Sequence, residues 1–128
     1  MGGANFLFYN GKLSKTGKAL ISPDNRSFRY GDGFFGTMKM VNGKIQLADY
    51  HFERLFASLD LLQFQQPVYF TPAYLMEQVE ILAKKNYHHK LARIRLTIFR
   101  GEGGLYDVSN HFPHHLVQTL ELNPANNS

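Results

Sequence analysis

The sequence predicts an α+β domain in which a mostly antiparallel sheet carries two helices packed on one face. Two Asn-Gly pairs, Asn10-Gly11 and Asn42-Gly43, follow apolar segments and are strong signals for β-hairpins. Two stretches with helical periodicity lie together in the middle of the chain, and strand-like segments come before and after them. Because strands and helices do not alternate, a doubly wound parallel sheet is not expected.

The first part of the chain supplies the hairpins. Phe6–Tyr9 is a short apolar strand that leads into the first Asn-Gly turn. Residues 34–41 form the strand before the second turn, and residues 44–47 form the returning strand. Residues 22–32, between the hairpins, contain Pro, Asp, Asn and Gly and are predicted as loop and turn.

The two helices are predicted from their caps and their periodicity. Asp49 can cap a first helix that runs to about Leu62. Thr71 and Pro72 form a cap and first-turn pair for a second helix that ends near Asn86. The residues expected to face inward are Phe52, Leu55, Phe56, Leu59 and Leu62 on the first helix, and Leu75, Val79 and Leu82 on the second.

The last part of the chain returns to strands. Residues 92–99 alternate, with apolar side chains on one face and Arg93, Arg95 and Thr97 on the other. Residues 116–122 are predicted as the last strand, and residues 123–128 as a polar tail without regular structure. We therefore expect one domain over residues 1–122, followed at residues 123–128 by a polar tail or by the start of an interdomain linker.

Composition narrows the classes of function. The chain has 128 residues, no cysteine and a net charge of +4. The absence of cysteine excludes disulfides and thiolate zinc sites, and it fits a cytoplasmic protein. The positive charge admits anionic ligands such as phosphate or carboxylate. No basic run exceeds two residues and no apolar run approaches a membrane span, so neither nucleic acid nor a membrane is expected as a partner.

Arg54 is the first candidate for chemistry. It follows His51 by three residues and precedes Ser58 by four, so all three share one polar edge of the first helix. A guanidinium binds a phosphate dianion through two hydrogen bonds. On helix spacing alone, however, an ordinary surface arginine on an amphipathic helix is the favoured interpretation.

Other candidates lie around the glycine turn Gly31-Asp32-Gly33 and on the strand at residues 92–99. Tyr30 and Phe35 flank the turn and could either wall a flat ring or belong to the core. Arg93 and Arg95 share a face and repel unless a negative group, from a substrate or from the protein, lies near them. Five of the six histidines suggest a metal site, but their spacing matches no zinc signature and no metal site is predicted; they are His88, His89, His111, His114 and His115.

Taken in order, these segments resemble the fold-type IV pyridoxal-phosphate enzymes, also called the class IV aminotransferase family. The family includes branched-chain and D-amino acid aminotransferases and aminodeoxychorismate lyases. The resemblance extends through nearly the whole chain, and its specific parts are Tyr30-Gly31-Asp32-Gly33-Phe34-Phe35-Gly36-Thr37, Asn42-Gly43-Lys44, His51-Phe52-Glu53-Arg54-Leu55 and Arg95-Leu96-Thr97-Ile98-Phe99-Arg100-Gly101.

The resemblance implies roles for particular residues. Arg54 matches the helix arginine that holds the phosphate of the cofactor, pyridoxal 5'-phosphate. The positions implied for the substrate pocket are Tyr30, Phe35, Thr37, Arg95 and Arg100. Among them, Thr37 matches a position near the reacting centre in the lyases. Arg95 matches the arginine that branched-chain enzymes direct towards the carboxylate of the acidic co-substrate.

Two departures from the family matter. Many of its aminotransferases carry Glu where this chain has Gly36, which weakens the branched-chain interpretation. The family's Schiff-base lysine lies in a following larger domain, so we assign no catalytic residue here. The chain is expected to be the N-terminal small domain of such an enzyme, a homodimer when complete, and catalytically silent by itself.

Three functions remain open. The first is amino-group transfer between an amino acid and a 2-oxo acid by the complete enzyme. The second is pyruvate elimination from aminodeoxychorismate, which gives 4-aminobenzoate. The third is a non-catalytic binding domain that has kept the fold and lost the chemistry.

Overall fold

The computed structural model describes residues 6–15, 33–100 and 112–122. The predicted loop at residues 22–32 and the predicted tail at residues 123–128 lie outside the described residues. The elements are β1 (Phe6–Tyr9), β2 (Lys12–Lys15), β3 (Gly33–Val41), β4 (Lys44–Ile45), α1 (Ala48–Leu61), α2 (Pro72–Lys85), β5 (Leu91–Arg100) and β6 (Pro113–Glu121).

The six strands form one sheet in the order β2-β1-β6-β5-β3-β4, and every neighbouring pair is antiparallel. Buried side chains of both helices and of one sheet face belong to a single apolar cluster. The predicted α+β class, with both helices on one face, is therefore confirmed. No helix in the described ranges is long and apolar enough to cross a membrane.

The two Asn-Gly turns connect hairpins as predicted. Asn10 and Gly11 have φ values of 52° and 82°, and Asn42 and Gly43 have 51° and 80°. Two successive positive φ values define the turn that matches the twist of a tight hairpin. The second hairpin is short, because β4 pairs with β3 only opposite Met40 and Val41. Within the described residues, the rest of β3 has a strand partner on its β5 side alone.

β5 lies near the centre of the sheet and shows the predicted alternation. Its apolar residues Ala92, Ile94, Leu96 and Ile98 are fully buried against the helices. Arg93 and Arg95 are exposed on the opposite face. The alternation of side chains along a pleated strand therefore separates a core face from an open face.

The helix caps differ from each other. Thr71 Oγ1 accepts a hydrogen bond from the Tyr74 backbone N–H at 3.2 Å, which confirms the predicted cap of α2. The predicted Asp49 cap is wrong: α1 begins at Ala48, after Leu47 turns the chain with φ of 54° and without a side-chain cap bond. Asp49 instead lies in the first turn of α1, where its negative charge interacts favourably with the positive end of the helix dipole.

β6 begins at Pro113, three residues before the predicted strand. Its early part contains His114 and His115, two polar residues that do not predict a strand. In the structure their side chains lie on opposite faces of the sheet. His115 is buried under α2, with its Nε2 2.8 Å from Gln78 Oε1. Burial, together with the neighbouring His114, lowers the His115 pKa to about 4. This histidine is therefore a neutral part of the core.

Candidate functional site

A pocket of about 290 Å³ opens between α1 and β3. It lies beside the part of β3 that, among the described residues, pairs with β5 on one side and with no strand on the other. The edge of this strand and the neighbouring edge of α1 are therefore both accessible. Its lining consists of Phe34, Phe35, Gly36, Thr37 and Met38 on the strand, and Tyr50, His51, Arg54, Leu55 and Ser58 on the helix. The pocket is at the small end of the range for ligand sites.

The polar edge predicted on α1 faces this pocket. His51, Arg54 and Ser58 all line it, and they follow one another along one side of the helix. Arg54 is exposed, and His51 and Ser58 are partly buried. A guanidinium, an imidazole and a hydroxyl together offer hydrogen-bond donors to an anion. The donor set of the pocket therefore fits a phosphate group.

Tyr50 holds the Arg54 side chain. Arg54 Nη1 donates a hydrogen bond of 2.7 Å to Tyr50 Oη, and the guanidinium lies 5.5 Å from the centre of the Tyr50 ring. Residues four apart on a helix are neighbours, so this contact is built into α1 itself. Sequence reasoning missed Tyr50, although its spacing from Arg54 could have indicated the contact.

Phe35 and Thr37 come to the same pocket from β3. Both are exposed, and in the sheet they lie opposite Thr97 and Arg95, respectively. The structure thus brings three of the predicted site residues, Arg54, Phe35 and Thr37, to one pocket.

A second hollow of about 370 Å³ lies on the open face of the sheet. It is lined by Gly33, Phe34, Phe35, Arg95, Thr97, Phe99, Leu116 and Gln118. The Arg95 guanidinium stacks over the Phe35 ring, 4.2 Å from its centre. Phe34 and Phe35 border both hollows. Arg54 and Arg95 therefore stand on the two sides of one aromatic pair.

The open face around Arg95 is cationic. Lys39 lies directly opposite Arg93, next to the Thr37–Arg95 pair. The side chains that share this face on β3, β5 and β6 include no carboxylate between Gly33 and Lys39, Arg93 and Phe99, or His114 and Leu120. Like charges this close favour an anion at the surface.

Arg100, one of the predicted substrate residues, lines neither hollow. Arg100 donates to the backbone carbonyl of Leu62 and stacks 4.3 Å over the Phe64 ring, on the helix side of the sheet. Tyr30 lies outside the described residues. Across the described ranges, no group of three or more His, Cys, Asp or Glu residues could hold a metal ion.

Comparison with known proteins gives a consistent assignment. A family model described as amino-transferase class IV matches residues 33–128. The aminodeoxychorismate lyase of Bacillus subtilis (strain 168) is 33% identical over 96 residues, which cover 74% of this chain and 32% of that protein. The chain thus spans about a third of the length of this curated relative.

Solved structures share the fold. The branched-chain aminotransferase of Thermoproteus uzoniensis has a TM-score of 0.78 at 21% identity, covering 94% of this chain and 42% of that chain. The Escherichia coli enzyme has a TM-score of 0.80 at 21% identity, with 94% and 41% covered. The T.th. enzyme with pyridoxamine 5'-phosphate has a TM-score of 0.81 at 20% identity, with 98% and 42% covered. The chain belongs to the amino-transferase class IV family.

Proposed function

We propose that this chain supplies the phosphate-binding helix and one wall of the substrate pocket of a pyridoxal-phosphate enzyme that transfers amino groups between an amino acid and a 2-oxo acid. The observation that carries the proposal is the pocket in which Arg54, His51 and Ser58 face Phe35 and Thr37. Class IV membership and the T.th. relative solved with pyridoxamine 5'-phosphate support the choice of cofactor.

Arg54 would hold the cofactor phosphate. Its guanidinium can give two parallel hydrogen bonds to a dianion, and Tyr50 restricts its position beforehand. His51 and Ser58 would add donors from the same edge of the helix. When bound, pyridoxal phosphate supplies the electron sink for chemistry at the amino carbon of the substrate.

Arg95 would hold a substrate carboxylate in the hollow on the open face. Its guanidinium is already fixed over Phe35, so little side-chain freedom is lost on binding. Phe35 would orient the substrate between the two arginines and exclude water from one side. Thr37 adds a hydroxyl at the pocket that Arg54 faces. Arg100 and Tyr30 remain predictions from the family resemblance.

None of the lysines in this chain is proposed as the catalytic lysine. We therefore expect the isolated chain to be catalytically silent. From the family resemblance, we expect its complete enzyme to be a cytoplasmic homodimer. Incubation with pyridoxal 5'-phosphate and borohydride, followed by peptide mapping, checks the first point. A stoichiometric adduct on one lysine, together with amino-acid turnover, would contradict it.

The phosphate role of Arg54 is tested by titrating the isotope-labelled chain with pyridoxal 5'-phosphate and following amide NMR shifts. We expect shifts at Arg54 and Ser58, and a dissociation constant raised about 30-fold in Arg54→Gln, for the loss of roughly 2 kcal/mol of charge-assisted bonding. Arg93→Gln is the matched control, because Arg93 is an exposed arginine on another element. Equal effects of the two substitutions would refute a specific phosphate site.

A second activity is favoured by the Bacillus subtilis relative, an aminodeoxychorismate lyase. In that case the pocket would serve pyruvate elimination. A chimera in which this chain replaces the matching third of the Bacillus subtilis protein distinguishes the two. Pyruvate release from aminodeoxychorismate would favour the lyase, whereas 2-oxo acid formation from leucine or a D-amino acid would favour the aminotransferase.

A further inference from the structure

A row of exposed side chains runs along the outer side of α2. It consists of Glu77, Glu80, Ile81 and Lys84, which we call the α2 row. The last three follow Glu77 by three, four and seven residues, the spacing of one helix face, and all four are exposed. None of them lines the pocket between α1 and β3 or the hollow on the open face, so this surface is independent of the proposed function.

The charges of the α2 row change sign along the helix. Two carboxylates come first and an ammonium follows, with Ile81, which is 47% exposed, between them. Glu80 and Lys84 lie one turn apart, yet neither forms an ion pair within the part of the chain that the structure describes. The row therefore offers both signs of charge and an apolar centre to a partner.

The lysine end of the row borders a hollow of about 480 Å³. Its lining consists of Phe6, Ile81, Lys84, Lys85 and Tyr87. The Lys85 ammonium lies over the Phe6 ring, with Nζ 4.9 Å from the ring centre, whereas Lys84 makes no such contact. Apolar walls beside an unpaired ammonium suit a carboxylate side chain, whose stem is apolar and whose end is negative.

An antiparallel two-fold arrangement matches the row to itself. With Ile81 at the axis, Glu77 of one copy lies at nearly the same level as Lys84 of the other, because these residues lie four positions before and three positions after the axis. We propose that the α2 row is a self-association surface: Lys84 of a second copy of this chain meets the two carboxylates, and the two Ile81 side chains pack together. Each copy carries a net charge of +4, and these opposite charges offset the general repulsion between copies.

Analytical ultracentrifugation of the chain tests this surface. The interface is small and exposed ion pairs are weak, so we expect dimers at concentrations up to about 1 mM, with the dissociation constant about tenfold higher in roughly 0.5 M salt than in roughly 0.05 M salt.

Charge reversal tests which side chains meet. The double variant Glu77→Lys with Glu80→Lys, and the single variant Lys84→Glu, should each raise the dissociation constant about tenfold or more. Their melting temperatures show that the variants are folded. An equimolar mixture of the two variants should associate within about threefold of the parent, because every facing pair again has opposite charge.

Glu53→Lys and Lys44→Glu are the matched controls, because they make the same charge changes at exposed positions of α1 and β4. Their mixture should associate no better than either variant alone. A parent chain that stays monomeric in low salt overturns the proposal. So does a mixture of the reversed variants that fails to associate, since Lys84 would then face some other acidic molecule. Equal effects of the controls would show that net charge alone governs association, and would also overturn it.

Discussion

The two helices place their polar side chains in different surroundings. α2 encloses Gln78 under the sheet, and Asn86 at its C-terminal end is also buried. α1 presents its polar edge, with Arg54 at the centre, to an open pocket. Buried polar groups need fixed partners within the protein, whereas groups at an open pocket can exchange water for a ligand. The contrast separates polar residues that stabilise the fold from those available for function.

The sheet explains the difference. α2 packs near β1 and β6, which have strand partners on both sides. β1 pairs with β6 only at Phe8 and Tyr9, and at Phe6 the side chain of Asn86 takes the place of a backbone partner. Asn86 Oδ1 accepts a hydrogen bond from the Phe6 N–H at 2.6 Å, and Asn86 Nδ2 donates one to the Phe6 carbonyl at 2.9 Å. α1 packs near β3, whose short partner β4 covers two residues. The space beside the rest of β3 becomes the pocket.

The largest effect is expected from Asn86→Ala. The substitution leaves both backbone groups of Phe6, and the Thr119 hydroxyl, without this side-chain partner. Because unmade hydrogen bonds at partly buried groups cost 1–3 kcal/mol, we expect a loss of about 3 kcal/mol in the free energy of unfolding. Urea denaturation measures it. Gln65→Ala, at an exposed loop position, should change stability by less than about 0.5 kcal/mol and is the control. Similar midpoints for both variants would mean that the buried amide contributes little.

The next effect is a pH dependence from His115. Its pKa is lowered to about 4 in the folded chain, chiefly by burial, so folding favours the neutral ring. The stability that this gives is complete above the unfolded pKa of about 6.5 and is lost as pH falls towards 4. Between pH 8 and 5 we expect His115 to account for a loss of about 2 kcal/mol.

The His115→Gln variant isolates this contribution, because Gln can still reach Gln78 but does not titrate. The difference in unfolding free energy between parent and variant should therefore change with pH over that interval. His89→Gln, which alters an exposed histidine in the loop after α2, is the control. Parallel pH profiles for parent and His115→Gln would show that the buried histidine does not titrate as proposed.

The smallest effect is expected on the open side, from Tyr50→Phe. Removing the hydroxyl frees the Arg54 side chain, whose Nη1 now donates to Tyr50 Oη. We expect the dissociation constant for inorganic phosphate to rise about fivefold, which corresponds to roughly 1 kcal/mol, without a change in melting temperature.

A double variant tests whether Tyr50 acts through Arg54. Tyr50→Phe should add nothing when Arg54→Gln is already present, because the positioned group is gone. Tyr87→Phe removes the hydroxyl of another exposed tyrosine, far along the chain from the pocket, and serves as the control. Additive effects of the two pocket substitutions would show that Tyr50 contacts the ligand independently.

Much of the fold could be predicted from local patterns. The Asn-Gly turns, the Thr71 cap and the alternation in β5 each depend on residues a few positions apart, and each is confirmed. Two predictions were wrong: the Asp49 cap, because Leu47 turns the chain before Ala48 without a side-chain cap bond, and the start of β6. The early part of β6 includes the buried His115, whose Nε2 lies 2.8 Å from Oε1 of Gln78, a residue 37 positions earlier that local patterns do not reveal.

For the site, the sequence by itself determined that His51, Arg54 and Ser58 share one helix edge and that Arg95 points away from the core. Those facts follow from the helix and strand repeats. The tertiary structure decided that the edge faces Phe35 and Thr37 across a pocket, and that Arg100 turns towards Leu62 and Phe64. Such differences arise from the register of β3 against β5 and from the position of α1, which depend on contacts between residues far apart in the chain.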